Sequence, residues 1–302
     1  MVGRPPPWPR SGCGTLTVPQ HFTRFAAIDW SGAKGHRHKG IAVALCETGS
    51  AAPKLVAPPR GVWSRTDVLR WLKAQADTPL LVGFDFSFAP PWIERGAYLP
   101  GEPTPSTARA FWAYVDADCP DADLGAASFL ERRRGSHFYL GARDGAKAQF
   151  LHYRRCEAAY NASGIGRAST LYDAIGAAQV AKASFAGMRL LHHLGSEVPI
   201  WPFDPPPAQG ALVIEIYTTV AARAAGLRKG LSKLRDPHAL DAALEALGSG
   251  RHTPLDRYDD HATDAIMAAA WLRRVARTPE LWQPTALTPT IRRSEGWTFG
   301  VL

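Results

Sequence analysis

Three apolar segments of this 302-residue chain carry an acidic residue near their carboxyl end, and this pattern constrains the fold more than any other feature. The segments are residues 22–30 (FTRFAAIDW), 78–88 (TPLLVGFDFSF) and 211–220 (ALVIEIYTTV). Continuous apolar runs of this length are typical of strands that are buried on both faces of a sheet. Because function gathers outside the carboxyl ends of parallel strands, neighbouring strands would bring Asp29, Asp85 and Glu215 together.

The remaining periodicity predicts two more strands and several helices. Residues 40–47 and 53–59 have strand character, and their short links to residues 22–30 favour an antiparallel meander. Helical spacing of apolar residues appears in four further segments, 65–76, 170–194, 238–247 and 257–276. Ser64 or Thr66 is a candidate N-cap for the first of these helices. The predicted class is therefore α/β, with a mixed five-stranded sheet flanked by helices.

The strand–helix rhythm stops between the fourth and fifth strands. Residues 89–208 contain proline-rich stretches and several short helical pieces. We expect this part to be a large, mostly helical insertion that is carried by the α/β core. Residues 1–21 begin with a proline-rich stretch and are expected to form a disordered leader, which leaves residues 22–302 as the folded domain.

Composition excludes several classes of protein. With 46% hydrophobic and 21% charged residues, the chain has the balance of a folded globular domain. No apolar run approaches the ~18 residues of a membrane span, and the first residues lack the apolar stretch of a signal peptide. Its four cysteines are far apart and form no CxxC pair, which favours reduced thiols over a zinc site or disulfides. A cytoplasmic location without a membrane partner is expected.

The chain is basic, with a formal net charge of +8. Such a surface favours polyanionic partners, and nucleic acid, either DNA or RNA, is the expected one. The alternative is that the arginine content simply follows from a GC-rich genome.

A fourth acidic position lies on the last predicted helix. Asp264 follows Asp259 and Asp260 in the sequence DDHATDA, and Asp260 and Asp264 share a face because they are four residues apart. Carboxylates gathered at one place repel each other by roughly 4 kcal/mol at ~4 Å and an effective dielectric near 20. A hard divalent cation such as Mg²⁺ or Mn²⁺ relieves that repulsion, and two such ions can assist phosphodiester hydrolysis.

The predicted metal ligands are therefore Asp29, Asp85, Asp260 and Asp264, and the predicted catalytic residues are Asp29, Asp85, Glu215 and Asp264. Each has a simpler alternative. Asp29 alone suits a turn, one of Asp259 and Asp260 suits a helix N-cap, and Glu215 could pair with a base such as Lys233. Three possible auxiliary residues are Lys34 for phosphate binding and His36 and His261 for proton transfer. His38 is a further candidate to assist proton transfer, and exposed loop histidines are the commoner explanation for all three histidines.

These motifs, taken in order over residues 24–302, resemble domain-of-unknown-function family 429 (DUF429). The matching pieces are AAIDWSG, LLVGFDFSF, the stretch from AAQVAKASFAGMRLLHHL to IWPFD, LVIEIYTT, DDHATDAIMAAAW and EGWTFGV. The resemblance implies a ribonuclease H-like fold, a predicted nuclease activity, and acidic site positions at Asp29, Asp85, Glu215 and Asp264. The last helix also resembles that of Holliday-junction resolvases, which leaves open whether Asp259 or Asp260 is the second ligand on it.

Two other functions fit parts of the pattern. Actin-like ATPases and sugar kinases share the strand-and-acid topology, and DWSGAKG has some likeness to a phosphate loop. That class duplicates the fold, however, whereas this sequence has one set of strands, and FDFSF lacks the glycines of a second loop. A non-catalytic nucleic-acid-binding member of the same fold is the other alternative. Metal-dependent cleavage would separate a nuclease from it, and nucleotide-stimulated phosphate release would favour an ATPase.

Overall fold

A computed structural model of the protein describes residues 18–175, 180–228 and 233–302. Most of the leader predicted at residues 1–21 lies outside these ranges, as does Cys13. The last residues of the predicted leader pack on the body of the protein, since His21 Nε2 lies 3.1 Å from the carbonyl of Gly210. Phe22 is buried in the core. The packed chain therefore begins before the boundary that was predicted at residue 22.

Five strands form one mixed sheet in the order β3-β2-β1-β4-β5. The strands are β1 (Arg24–Asp29), β2 (Ala42–Glu47), β3 (Lys54–Leu55), β4 (Leu80–Asp85) and β5 (Leu212–Glu215). β1 pairs antiparallel with β2 and parallel with β4, β2 pairs antiparallel with β3, and β4 pairs parallel with β5. This confirms the predicted α/β class, the mixed five-stranded sheet and the antiparallel meander of its first three strands.

Helices cover both faces of this sheet. Those before β5 are α1 (Arg65–Lys73), α2 (Ala108–Ala117), α3 (Ala127–Arg132), α4 (Arg155–Ala162) and α5 (Val180–Leu194). Those after it are α6 (Thr218–Ala224), α7 (Pro237–Ala246), α8 (Asp260–Val275), α9 (Pro279–Trp282) and α10 (Pro289–Ser294). Short 3₁₀ turns occupy Ala142–Asp144 and Lys147–Phe150. Among the described residues, no helix is both long and apolar enough to cross a bilayer.

Two hydrophobic clusters lie on opposite faces of the sheet, because successive side chains of a strand point to opposite sides. Ala26 and Ile28 of β1 belong to the cluster that contains α1, α2 and α5. Phe25 and Ala27 belong to the cluster that contains α6, α7 and α8. We call these two sides the α5 face and the α8 face. This alternation decides which face each acidic residue at a strand end reaches.

Some predicted boundaries were wrong. Residues 211–220 were predicted as one strand, but β5 ends at Glu215 and α6 begins at Thr218. Within residues 170–194, which were predicted as one helix, α5 covers Val180–Leu194, and residues 171–175 form turns, a bridge and a bend. Residues 176–179 lie outside the described ranges. The predicted Ser64 cap is confirmed, since Ser64 Oγ accepts a hydrogen bond from the Asp67 backbone at 2.9 Å.

The segment between β4 and β5 carries α2 to α5 and long irregular connections. It also supplies buried polar side chains, such as Arg154 and Glu157, to the carboxyl end of the sheet. Cys46, Cys119 and Cys156 are free and buried.

Candidate functional site

Two of the predicted acids are direct neighbours across the sheet. Asp29, the last residue of β1, is in register with Asp85, the last residue of β4. Both side chains leave the sheet on the α8 face, because they lie an even number of residues from Ala27 and Leu81, which pack on that face. The register of one strand pair therefore gives two carboxylates a common side and a common edge.

Helix α8 brings a third carboxylate to the same place. Asp259 is the N-cap of α8, and its side chain accepts a hydrogen bond from the Ala262 backbone at 3.0 Å. The helix then packs along β1 and β2, which places Asp264 slightly more than one turn from its start. Asp264 is 9% exposed and lines the same cavity as Asp29 and Asp85. We call these three residues the aspartate triad.

The cavity at the triad has a volume of about 570 Å³. Its walls come from the loops after β1, β4 and β5 and from α4, α5 and α8. The loop after β1 packs closely on α5: a Cβ at Gly32 would lie 2.2 Å from the backbone of Ala183, so only glycine fits there. Trp30 Nε1 donates to the Ala183 carbonyl at 3.1 Å, which fixes the same loop from the other side.

Burial and mutual repulsion make the triad carboxylates hard to ionise. The pKa of Asp85 is raised to about 7, first by burial and then by the charge of Asp29. The pKa of Asp29 is raised to about 6 by burial and by Asp264, although His261 acts in the opposite direction. Burial also raises the pKa of Asp264 to about 6, with a further contribution from Asp85. Each carboxylate thus responds to another member of the triad.

Lys233 and, when it is protonated, His261 partly compensate this charge. His261 Nδ1 lies 2.9 Å from Asp29 Oδ1, and this hydrogen bond is the main reason that the pKa of His261 is raised. Lys233 Nζ lies 3.5 Å from Asp264 Oδ2 and 3.2 Å from Asp260 Oδ2. Because about half of each of these side chains is exposed, solvent weakens their interaction with the acids.

The orientation of Asp85 is set by the first residue of α6. Thr218 Oγ1 donates to Asp85 Oδ2 at 2.8 Å, and the Thr218 backbone donates to Oδ1 at 3.3 Å. Thr218 was not predicted as a site residue, because the surrounding residues were predicted to be strand. The available signal was a pair of polar residues, Thr218 and Thr219, near the end of the apolar run of residues 211–220.

Glu215 lines the cavity but does not join the triad. It pairs with Phe84 across β4 and β5, one position out of phase with Asp85, so its side chain leaves the sheet on the α5 face. Its carboxylate accepts two hydrogen bonds from Arg154, at 2.8 and 2.5 Å, and one from the Phe88 backbone at 2.8 Å. Thr298 Oγ1 donates to it as well. These contacts indicate a structural role, and the base that pairs with Glu215 is Arg154, not Lys233.

Arg154 organises this wall of the cavity and was not predicted as a site residue. It is 1% exposed, and besides Glu215 it donates to Glu157 Oε1 at 3.0 Å and to the Glu295 carbonyl at 3.1 Å. In the sequence, Arg154 stands out only because it is followed by a second arginine, Arg155. Its partners are up to 141 residues away, and such pairings leave no periodic signal.

The other predicted residues do not reach the triad. Asp260 lines a second cleft together with Arg235, and it also contacts Lys233 from the cavity lining. Asp259 is occupied as the α8 cap. Lys34 is exposed and pairs with Glu131 at 2.7 Å, and His36 is exposed and lies outside the cavity. Of the auxiliary residues, only His261 touches the triad. His38, which was considered with them, is buried beside Asp123 at 3.0 Å.

The second cleft has a volume of about 320 Å³ and shares Gly40 and His261 with the cavity. Its other lining residues are Lys39, Arg235, Arg257, Tyr258, Asp259 and Asp260. We call it the basic cleft, since three of its side chains, Lys39, Arg235 and Arg257, carry a positive charge and all three are exposed.

The donor chemistry of the triad suits a hard divalent cation, because it offers carboxylate oxygens in a buried, negatively charged place. Within residues 18–175, 180–228 and 233–302, no three His, Cys, Asp or Glu side chains already stand in a metal-binding arrangement. Oδ1 of Asp29 is held by His261, Oδ2 of Asp85 by Thr218, and Oδ2 of Asp264 lies beside Lys233. A cation would replace contacts that these three side chains now make with protein groups.

Comparison with protein-family models, with curated proteins and with solved structures finds no match. The functional assignment therefore depends on the chemistry of the triad and its surroundings.

Proposed function

We propose that the aspartate triad binds Mg²⁺ or Mn²⁺ and that the protein is a nuclease that hydrolyses phosphodiester bonds of nucleic acid. The proposal includes a ribonuclease H-like core, with residues 89–208 as an insertion, and the resemblance to DUF429 agrees with it. The observation that carries the proposal is that Asp29, Asp85 and Asp264 line one cavity at the carboxyl end of the parallel strands.

A cation offers the most economical explanation of this arrangement. Three carboxylates with raised pKa values are unfavourable together, and proteins place such groups where function requires them. A divalent ion would relieve the repulsion more fully than the half-exposed Lys233 and His261 can. When bound, it supplies an activated water for attack on phosphorus and stabilises the leaving oxygen.

The residues of the chain have separate tasks in this account. Asp29, Asp85 and Asp264 would hold the cation. Thr218 orients Asp85 from the start of α6. His261 orients Asp29 and, when protonated, adds a positive charge at the edge between the cavity and the basic cleft.

The basic cleft supports nucleic acid as the substrate. Lys39, Arg235 and Arg257 line this cleft, which meets the cavity at Gly40 and His261. The phosphates that flank a cleaved bond would continue there, and they would compete with Asp260 and Asp259 for the two arginines. Phosphate contacts by such side chains are independent of sequence and are weakened by salt.

The test is a panel of labelled single-stranded, duplex, hybrid and junction substrates, incubated with Mg²⁺, Mn²⁺ or chelator. Cleavage should require the cation and should be lost in Asp29→Asn. Asp77→Asn is the matched control, because Asp77 is exposed and lies before β4, at the opposite end of the strand from Asp85. Cleavage that continues in chelator would refute the proposal.

One alternative has a specific observation in its favour. Because His261 and Lys233 already neutralise part of the triad charge, the protein could bind nucleic acid without cleaving it. Binding that is unchanged by cations and by Asp29→Asn would support that alternative. The actin-like ATPase has less support, since Lys34 of the candidate phosphate loop is paired with Glu131.

A further inference from the structure

The cavity extends beyond the triad to a wall of different character. Two tyrosines form part of this wall, Tyr160 from α4 and Tyr217 from the N-cap position of α6. Their rings are edge-to-face, with centroids 5.5 Å apart. Ala168, Ser169 and Thr219 line the cavity beside them, so that this wall combines aromatic surface with hydroxyl groups.

The charges of the cavity exclude a second phosphate from this wall. The whole cavity is lined by five acids, which are the triad, Glu157 and Glu215, and by three basic side chains, which are Arg154, Lys233 and His261. The guanidinium of Arg154 is already bound by Glu157, Glu215 and the Glu295 carbonyl, so it has little capacity left for an anion. An uncharged group that can stack and form hydrogen bonds suits the wall better than a phosphate.

The size of the cavity agrees with a ligand of that kind. Its volume of about 570 Å³ lies within the range of roughly 300–1,000 Å³ that is usual for small-molecule sites. A phosphodiester at the triad has a sugar and a base directly attached, and these are groups that such a cavity can enclose.

We propose that this cavity takes up the base and sugar of one unpaired nucleotide whose phosphate lies at the triad, while the strand continues over the basic cleft. The proposal rests on the proposed function and names its substrate class. A base that enters this cavity has left its stack, so single strands, ends and flaps are the substrates. A fully paired duplex should be cleaved at least about tenfold more slowly, because extrusion of a paired base costs free energy.

Binding of a nucleoside tests the cavity separately from the chemistry. Adenosine and uridine carry no phosphate, and their binding can be measured by calorimetry in the presence of chelator. Tyr217→Leu removes a ring from the wall and should weaken binding about tenfold or more, as expected for loss of base stacking. Tyr153→Leu is the matched control, because Tyr153 is half-buried and lies outside the cavity lining.

A second variant fills the cavity. Ser169 lines it and is itself exposed, so Ser169→Trp adds bulk without burying a new group in the core. It should abolish nucleoside binding and slow single-strand cleavage, while the melting temperature still rises when Mn²⁺ is added.

The possible outcomes separate the two proposals. Nucleoside binding that is lost in Tyr217→Leu and Ser169→Trp, but kept in Tyr153→Leu, supports the cavity site even if no cleavage is found. Absence of nucleoside binding, binding that is equal in all variants, or equal cleavage of duplex and single strand overturns it. If the cavity site is overturned in this way but cleavage still depends on Mn²⁺, the nuclease proposal stays intact.

Discussion

Asp29 and Asp85 end adjacent parallel strands in register, and both carboxyl groups leave the sheet on the face that α8 covers. The charge of Asp29 raises the free energy of the ionised form of Asp85, which adds to the effect of burial. The pair is stable only if a proton, a basic side chain or a bound cation offsets the repulsion. This relationship connects the fold to the proposed chemistry.

The stability of the metal-free protein should fall as pH rises through the range of the triad. Asp29, Asp85 and Asp264 have folded-state pKa values of about 6, 7 and 6, against 3.8 as the ordinary value. The folded protein therefore binds more protons than the unfolded chain between about pH 4 and 7, and this contribution is lost as pH rises through about 7. Urea unfolding in chelator at a series of pH values measures it.

Asp85→Asn should reduce that pH dependence. The amide keeps the shape that Thr218 contacts but cannot ionise, so at pH 8 the metal-free variant should be more stable than wild type by about 1–2 kcal/mol. Asp77→Asn should leave the profile unchanged. A wild-type profile that rises from pH 5 to 8, or an Asp85→Asn profile identical to it, would contradict the raised pKa values.

The activity of triad variants should be lost as a unit. Asp29→Asn and Asp264→Asn should each abolish cleavage with the fold intact, because the amide lacks the charge that holds a cation. The double variant should lose little more than either single variant, as for residues that act together. Rates of single-turnover cleavage measure this, with circular dichroism to verify folding. If the loss of cleavage rate in the double variant equals the product of the two single losses, the two residues act independently.

Much of the sheet was predictable from the sequence, because apolar runs that end in acids carry a strong local signal. The face of the sheet on which each acid lies was not predictable. A shift of one residue between β4 and β5 places Glu215 on the opposite face from Asp85. Asp29, Asp85 and Glu215 were predicted to meet from their positions along the strands alone. Register between distant segments determines which of them meet, and register has no signature in one sequence.

The surroundings of the triad were even less predictable. Arg154 and Thr218 act on residues 61 and 133 positions away. Lys233 was considered as a partner for Glu215 and instead contacts Asp264. Asp259 was recognised as a possible cap because the capping pattern is local, and this prediction is confirmed.

Glu215 should matter for stability more than for cation binding. Glu215→Ala leaves the buried guanidinium of Arg154 without its main partner, and loss of one member of a buried pair costs about 3–5 kcal/mol. Chemical unfolding measures this cost. Mn²⁺ binding by the protein that remains folded should be nearly unchanged, and loss of Mn²⁺ binding without loss of stability would restore Glu215 as a ligand.

The two predicted histidines should differ in their effects. His261→Ala removes the partner of Asp29 and should reduce cleavage, whereas His36→Ala should leave cleavage and stability unchanged because His36 is exposed and outside the cavity. Parallel assays of both variants at saturating Mg²⁺ measure the difference. Unchanged cleavage by His261→Ala would show that the cavity edge at His261 has no part in the reaction, and a loss in His36→Ala would contradict the placement of His36 outside the site.

The basic cleft should contribute to binding and not to the chemical step. Arg257→Ala and Lys39→Ala should weaken binding of a single-stranded oligonucleotide at low salt, and each should lower the slope of log affinity against log salt by up to about 1. Lys54→Ala is the control, since Lys54 is exposed on the edge strand β3. Unchanged affinity and slope in all three variants would place the nucleic acid elsewhere.

Cation binding by the triad is the central claim, and calorimetric titration of Mn²⁺ into chelator-treated protein at pH 7.5 tests it most directly. We expect saturable binding by wild type and by Asp77→Asn, with a matching rise in melting temperature, and loss of both signals in Asp85→Asn and Asp264→Asn. Absence of binding by wild type, or equal binding by wild type and the triad variants, would contradict the account.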